Sequence, residues 1–347
     1  MWLVEGLSSD SGADRWALIA KTHHAMVDGV SGVDLMSVLF DLTPDVVDEP
    51  PPAWSPQPTP GAVDLLTTGA LGLVRNVTEL STKSITMALH PQDAVRTTVD
   101  KVSALADAAK PLIAAAPKTP FNDKPGPHRR VAIVETDLAD YKRVKAAAGG
   151  ATVNDVVLAA VAGALGRFLA DRGVDVEGLS LRACVPVSLR PDSKRGALGN
   201  EIAIMNAPLP VGVADPAARL AAVKAAMEDL KSSKQAEGAK VLTSLENALP
   251  PAILARASRL GFSSRLYNLL VTNVPGPQVP IYLLGHQLEE LVPLAFLAPE
   301  HQLAIGIMSY HGHVTYGLIA DADAIPDLDL LAKHLRESLS ELVALAP

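Results

Sequence analysis

This chain of 347 residues holds a single cysteine, Cys184. An internal disulfide is therefore excluded, and so is any metal site built on several thiolates. Aromatic residues make up only 4% of the chain, and the net charge is −8. With no basic stripe and no aromatics interleaved in one, a nucleic-acid partner is not expected. Neither a Gly-x-Gly-x-x-Gly loop nor a P-loop occurs, so nucleotide-dependent redox and phosphoryl transfer lack their usual cradle. No uninterrupted apolar run is long enough to span a bilayer. The opening Met1-Trp2-Leu3-Val4 reaches Glu5 without the basic region of a signal peptide. Cys184 lies inside an apolar stretch, 181–187, which fits packing in a reducing cytosol better than nucleophilic catalysis.

What is present is more telling. Residues 16–22 read as a strand that delivers His23 and His24 to its end, followed by Asp28 and Gly29. Strand periodicity puts His24 on the face of Trp16, Leu18 and Ala20 and His23 on the opposite one, so His24 is expected on the drier side. An imidazole there can take a proton from an alcohol near neutral pH. A helix is expected after Gly29, capped by Ser31, with Leu35, Val38, Leu39 and Leu42 on one face. A zinc reading has little support, because no His-Glu-x-x-His helix accompanies the histidines.

Residues 44–60 form a proline-rich, semi-rigid linker with Trp54 as an anchor. Residues 61–115 read as amphipathic helices. Further on come a strand at 131–136, a helix at 140–148, and a capped helix opened by Thr152-Val153-Asn154-Asp155. Strands at 179–189 and 201–209 follow, then a helix opened by Asp215-Pro216. The last third reads as strands at 267–272, 279–284 and 287–296, a hairpin of 303–310 with 314–320 turning at His311-Gly312, and a terminal amphipathic helix. Strands and helices mixed in this order give an α/β class with substantial antiparallel pairing.

The blocks His23-His24-x-x-x-Asp28-Gly29, Asn154-Asp155-Val156-Val157-Leu158-Ala159, Val185-Pro186-Val187-Ser188-Leu189-Arg190, Gly199-Asn200 and Asn273-Val274-Pro275-Gly276-Pro277 occur in that order. In this they resemble the bacterial wax ester synthase/acyl-CoA:diacylglycerol acyltransferases of the coenzyme A-dependent acyltransferase superfamily, over nearly the whole chain. The resemblance implies a two-lobed, chloramphenicol-acetyltransferase-like α/β fold with mixed, largely antiparallel sheets. Residues 1–116 would be the remainder of the first lobe and 118–347 the second. The family carries a segment with a Pro-Leu-Trp block ahead of its histidines, whereas here one strand precedes His23. The first lobe is accordingly expected to be truncated.

The resemblance further implies transfer of a long acyl group from acyl-CoA to diacylglycerol or to a long-chain alcohol, with His24 as base and His23 beside it. Asp28 would hold the loop and Gly29 its turn, with Arg190 as a candidate partner for Asp28. Asn154 and Asp155 read either as helix-start residues or as part of the site. Asn273 would offer its amide to the thioester oxygen, line the acyl channel, or only shape a stiff turn. No metal or bound cofactor is implied, since acyl-CoA is the substrate. The implied setting is cytoplasmic, peripheral to the inner membrane or lipid bodies. Two alternatives stay open: a condensation-domain-like enzyme drawing on a carrier-protein thioester, and an inactive lipid-binding remnant.

Overall fold

The computed structural model describes residues 1–7, 15–23, 36, 39–45, 55–56, 58–61, 63–64, 67, 115–188, 202–232 and 263–346. At its centre lies helix α2 (Val153–Asp171), whose start is written in its first residues. Thr152 Oγ1 accepts from the Asp155 backbone N–H at 3.2 Å, and the Asp155 carboxylate accepts from the Thr152 N–H at 2.7 Å, closing a reciprocal cap. Beyond this cap nearly every side chain as far as Leu169 is buried. The helix is long and apolar enough to cross a membrane, but 78% of its apolar window is packed inside the protein. It is a core helix, hydrophobic all round because it is covered all round.

Helix α2 sits on a six-stranded sheet together with α1 (Leu138–Ala147), α3 (Pro216–Ser232) and α4 (Leu328–Ala344). The strands are β3 (Arg129–Asp137), β4 (Leu181–Ser188), β5 (Ile202–Leu209), β6 (Leu269–Pro275), β9 (Leu303–Tyr310) and β10 (His313–Asp321). They run in the order β3-β10-β9-β6-β4-β5. Pairing is antiparallel at both margins and parallel through β9, β6 and β4, so the carboxyl ends of these three strands meet on one side. The amphipathic pattern of α4 is realised as read from sequence: Leu328, Leu331, Leu335, Leu339 and Leu342 are all buried. On the opposite sheet face a smaller cluster gathers Cys184, Tyr267, Leu270 and Ala304. Burial pushes the Cys184 thiol up to about 12, which leaves it an inert packing group.

The amino-terminal part is a two-stranded antiparallel ribbon of β1 (Trp2–Leu7) and β2 (Arg15–Ile19). It meets the larger lobe at a short hairpin, β7 (Tyr282–Leu283) with β8 (His286–Gln287). Arg15 Nε pairs with Glu289 at 2.9 Å, the Trp16 ring stands edge-on to His286, and Asp41 and Tyr282 exchange backbone hydrogen bonds of 2.7 and 2.8 Å.

Three sequence expectations are corrected here. The strand leading to the histidines stops at Ile19, which pairs with Trp2 at the start of β1. Residues 20–23 lie outside any strand and are exposed, so the strand does not reach His23, while the face expected for His24 lies outside the described residues. Leu42 is 73% exposed in a bend rather than on a buried helical face, because Asp41 has turned to bridge Tyr282. The strands expected at 279–284 and 287–296 shrink to the two-residue β7 and β8. Pro280 and Pro293 remove ladder donors, and Leu284 and Gly285 both take positive φ in the intervening turn.

Candidate active site

The site is approached from the carboxyl ends of the parallel strands. Asn273 stands opposite Ile307 near the end of β6, and Pro275 opposite Ser309 near the end of β9. From this position Asn273 Nδ2 donates to Asn154 Oδ1 at 3.1 Å, although the two residues are 119 apart in sequence. Two of the separated motif blocks are therefore joined directly by their side chains. Both asparagines are half-buried. Asp155, next to Asn154, is buried and holds the start of α2, and its Oδ1 has no hydrogen-bond partner among the described residues. The helix-start reading of Asp155 is the one its contacts support.

The turn after Asn273 is tied down at several points. The Gly276 N–H donates to the Ser309 carbonyl at 2.9 Å, and a β-carbon on Gly276 would press into that same carbonyl oxygen. Gln278 Nε2 donates to Ser309 Oγ and to the Gly276 carbonyl, both at 3.1 Å, while its Oε1 accepts from the Gly312 N–H. The His311 N–H reaches the Pro277 carbonyl at 3.0 Å. Motif reading did not single out Gln278. Its signal was only its place directly after Pro277, facing a hairpin whose proximity no sequence pattern shows. The glycine at 276 is needed for close backbone approach rather than for an unusual dihedral.

His23 is exposed beyond the end of β2. His24, Asp28, Gly29 and Arg190 lie outside the described residues. Arg190 follows two residues after the end of β4, the third strand of the parallel group. The structure thus brings Asn154, Asp155 and Asn273 together at one end of the sheet. Among the described residues no group of three or more His, Cys, Asp or Glu side chains is arranged to hold a metal ion.

This arrangement has clear relatives. Residues 1–157 match the wax ester synthase/diacylglycerol acyltransferase catalytic domain, and residues 198–343 match the WS/DGAT C-terminal domain. A Mycobacterium tuberculosis protein named as a candidate diacylglycerol O-acyltransferase is 35% identical over 99% of this chain and 66% of its own. A Mycobacterium bovis protein named likewise is 31% identical over 98% of this chain and 72% of its own. Among solved structures, the wax ester synthase/diacylglycerol acyltransferase of Marinobacter aquaeolei VT8 superposes with a TM-score of 0.60 at 26% identity, covering 92% of this chain and 66% of that one. The chain therefore spans about two thirds of the length of these relatives. Its motifs, the sheet that carries them and these likenesses agree: the chain belongs to the wax ester synthase/diacylglycerol acyltransferase family.

Proposed function

We propose that the chain carries out O-acyl transfer from a long-chain acyl-CoA to diacylglycerol, a long-chain alcohol, or both. The observation that carries this reading is the match of residues 1–157 to the family's catalytic domain, which contains His23-His24-x-x-x-Asp28-Gly29. In this mechanism His24 takes the proton of the acceptor hydroxyl as its oxygen attacks the thioester carbonyl. The tetrahedral oxyanion then collapses, the carbon–sulfur bond breaks, and the coenzyme A thiolate takes the proton back from the imidazolium. The products are the ester and free coenzyme A, and no metal or prosthetic group enters the atom balance. Asp28 holds the loop that carries His24, with Arg190 as its partner.

Binding of the acyl chain draws on apolar burial, about 0.8 kcal/mol for each methylene removed from water. Because diacylglycerol and fatty alcohols reside in membranes and lipid bodies, this reading places the protein at the cytoplasmic side of such a surface. Incubating the protein with palmitoyl-CoA and either dioleoylglycerol or hexadecanol, followed by lipid analysis, tests the reaction. Triacylglycerol or wax ester formed in step with free thiol is the expected result. Thiol release without ester, or no turnover with either acceptor, overturns it.

A further inference from the structure

We propose that the outer edge of β3 is a self-association site, where two copies of this chain pair their β3 strands antiparallel about a two-fold axis at Ala132. The proposal stands apart from the acyl-transfer reading. β3 lies at the margin of the six-stranded sheet, and its one ladder partner among the described residues is β10. The Leu138 N–H donates to the Gly312 carbonyl, and the Ala322 N–H to the His128 carbonyl. Even-numbered residues of β3 therefore turn their backbone groups toward β10, and odd-numbered residues turn theirs outward. The outward carbonyl of Ile133 accepts from the exposed Arg336 guanidinium at 3.1 Å. A carbonyl has a second lone pair, so this acceptor can also take an incoming N–H.

The middle of this edge is open and apolar. Residues 131–134 contain no proline and no charge, and their register against β10 runs unbroken. Ala132 and Val134 point into the helix-covered core, whereas Val131 and Ile133, on the other face, are 42% and 43% exposed. Ile133 stands opposite Gly317, and the half-exposed Leu294 lies over that glycine. An apolar strip thus reaches the margin of the sheet, where unpaired backbone groups make a template for another strand.

The charge order of the strand identifies its partner. β3 begins with Arg129 and Arg130 and ends with Glu135 and Asp137. Antiparallel pairing of two copies sets the basic start of each against the acidic end of the other. With Ala132 on the axis, Val131 stands opposite the partner's Ile133, and Arg129 opposite the partner's Glu135. These residues are all odd-numbered, so outward backbone groups meet in matched pairs and their side chains share one face. Centring the axis on Ile133 instead would set Val131 against a carboxylate. Arg129 donates through Nη1 to the Gly126 and His128 carbonyls, and its remaining N–H groups can reach across. Glu135 meets His313 through Oε1 at 3.0 Å, and its second oxygen can accept from the partner's guanidinium.

Sedimentation equilibrium over a dilution series tests this. The parent should show twice the mass of one chain when concentrated and dissociate on dilution. Ile133→Lys puts a charge in the apolar middle of the edge and should raise the dissociation constant by about 10-fold or more. Arg129→Glu and Glu135→Arg each set like charges opposite one another and should each weaken association by about 3-fold or more. Their combination opposes unlike charges again and should return association toward the parent. A parent that is monomeric throughout, an Ile133→Lys variant that associates like the parent, or a double reversal no tighter than the single ones overturns the proposal.

Amide hydrogen exchange on the unsubstituted protein gives a second measurement that does not depend on the variants folding. The N–H groups of Val131, Ile133 and Glu135 face outward, so they should exchange quickly in dilute protein and slowly in concentrated protein. Those of Ala132 and Val134 are bonded to β10 and should stay protected in both. Exchange at Val131 and Ile133 that ignores concentration, in a protein that does associate, puts the interface elsewhere and overturns the proposal.

Discussion

A β-carbon added at Gly163 would lie 2.7 Å from the guanidinium carbon of Arg219, because α2 and α3 close on that glycine around a buried arginine. Arg219 is pinned there. It donates to the carbonyls of Ala159, Val213 and Ala214 at 3.1, 3.0 and 2.9 Å and reaches Ser338 Oγ on α4 at 3.4 Å. Gly163→Ala should therefore lower stability by about 1–3 kcal/mol through overpacking. Arg219→Met should lower it by roughly 3–5 kcal/mol, since carbonyls and the Glu341 carboxylate lose their buried partner. Urea unfolding of the two variants and their combination checks this. The alanine should cost somewhat less in the methionine background, where the guanidinium has gone, but it should still cost stability there, because Ser338 Oγ lies nearer still.

Asp321 gives the lobe an acid sensitivity of known sign. Burial raises its pKa, but the backbone N–H groups of Ala324, Gly126 and Asp323, with the Arg129 charge, outweigh this and hold the carboxyl below its ordinary value. A pKa lowered by folding stabilises the fold above the unfolded value, and that stability is lost as pH falls through the folded one. The unfolded value is about 3.9, so the loss should develop from roughly pH 4 downward. Asp321→Asn should be weaker than the parent at neutral pH by about 1–3 kcal/mol. Its urea midpoint should then fall less steeply in acid. Parallel curves for the two proteins would remove Asp321 from the account.

His24→Ala should reduce ester formation by roughly 100-fold or more while far-ultraviolet dichroism and melting stay as in the parent. His23→Ala should be milder, since His23 stands exposed beyond the end of β2. Equal losses in both would assign the proton transfer to the pair rather than to one ring.

Gly276→Ala probes the turn behind Asn273. The added methyl meets the Ser309 carbonyl and must displace either the turn or the end of β9. The expected outcome is a fall in kcat of about 10-fold or more, in line with displaced positioning groups. A variant that melts lower but turns over normally would show that the turn serves the fold alone.

The second lobe was legible where local chemistry alone decides the outcome. Thr152 and Asp155 announce the start of α2, the leucines of α4 announce its buried stripe, and His311-Gly312 marks a tight hairpin that the structure confirms, with φ of 44° and 87°. It was illegible where a partner elsewhere in the chain decides. β2 ends at Ile19, opposite Trp2 of β1, and no pattern within residues 16–24 carries that register. The apolar run after Gln287 has strand-like composition, but it is an irregular crossing segment: Pro293 lacks a donor, the Leu288 N–H donates to the Ile281 carbonyl, and the Tyr310 hydroxyl accepts from the Ile281 N–H and donates to the Leu288 carbonyl. Motif order brought Asn154 and Asn273 forward separately. Their hydrogen bond is a tertiary fact that neither block shows alone.

The position of β10 between β3 and β9 has a consequence for how this protein is made. β3 leaves the ribosome well before residues 313–321 of β10, its one ladder partner among the described residues. Until those residues emerge, β3 has an open edge on both sides, and Val131 and Ile133 lie on a strand with nothing beside it. Helix α2 waits in the same way for α4, which packs against it. The lobe therefore closes in a late step, after most of the chain has been synthesised, and long-range pairing of this kind is slow to form. A nascent chain stalled before residue 303 should remain open to protease, and one extended past α4 should become resistant.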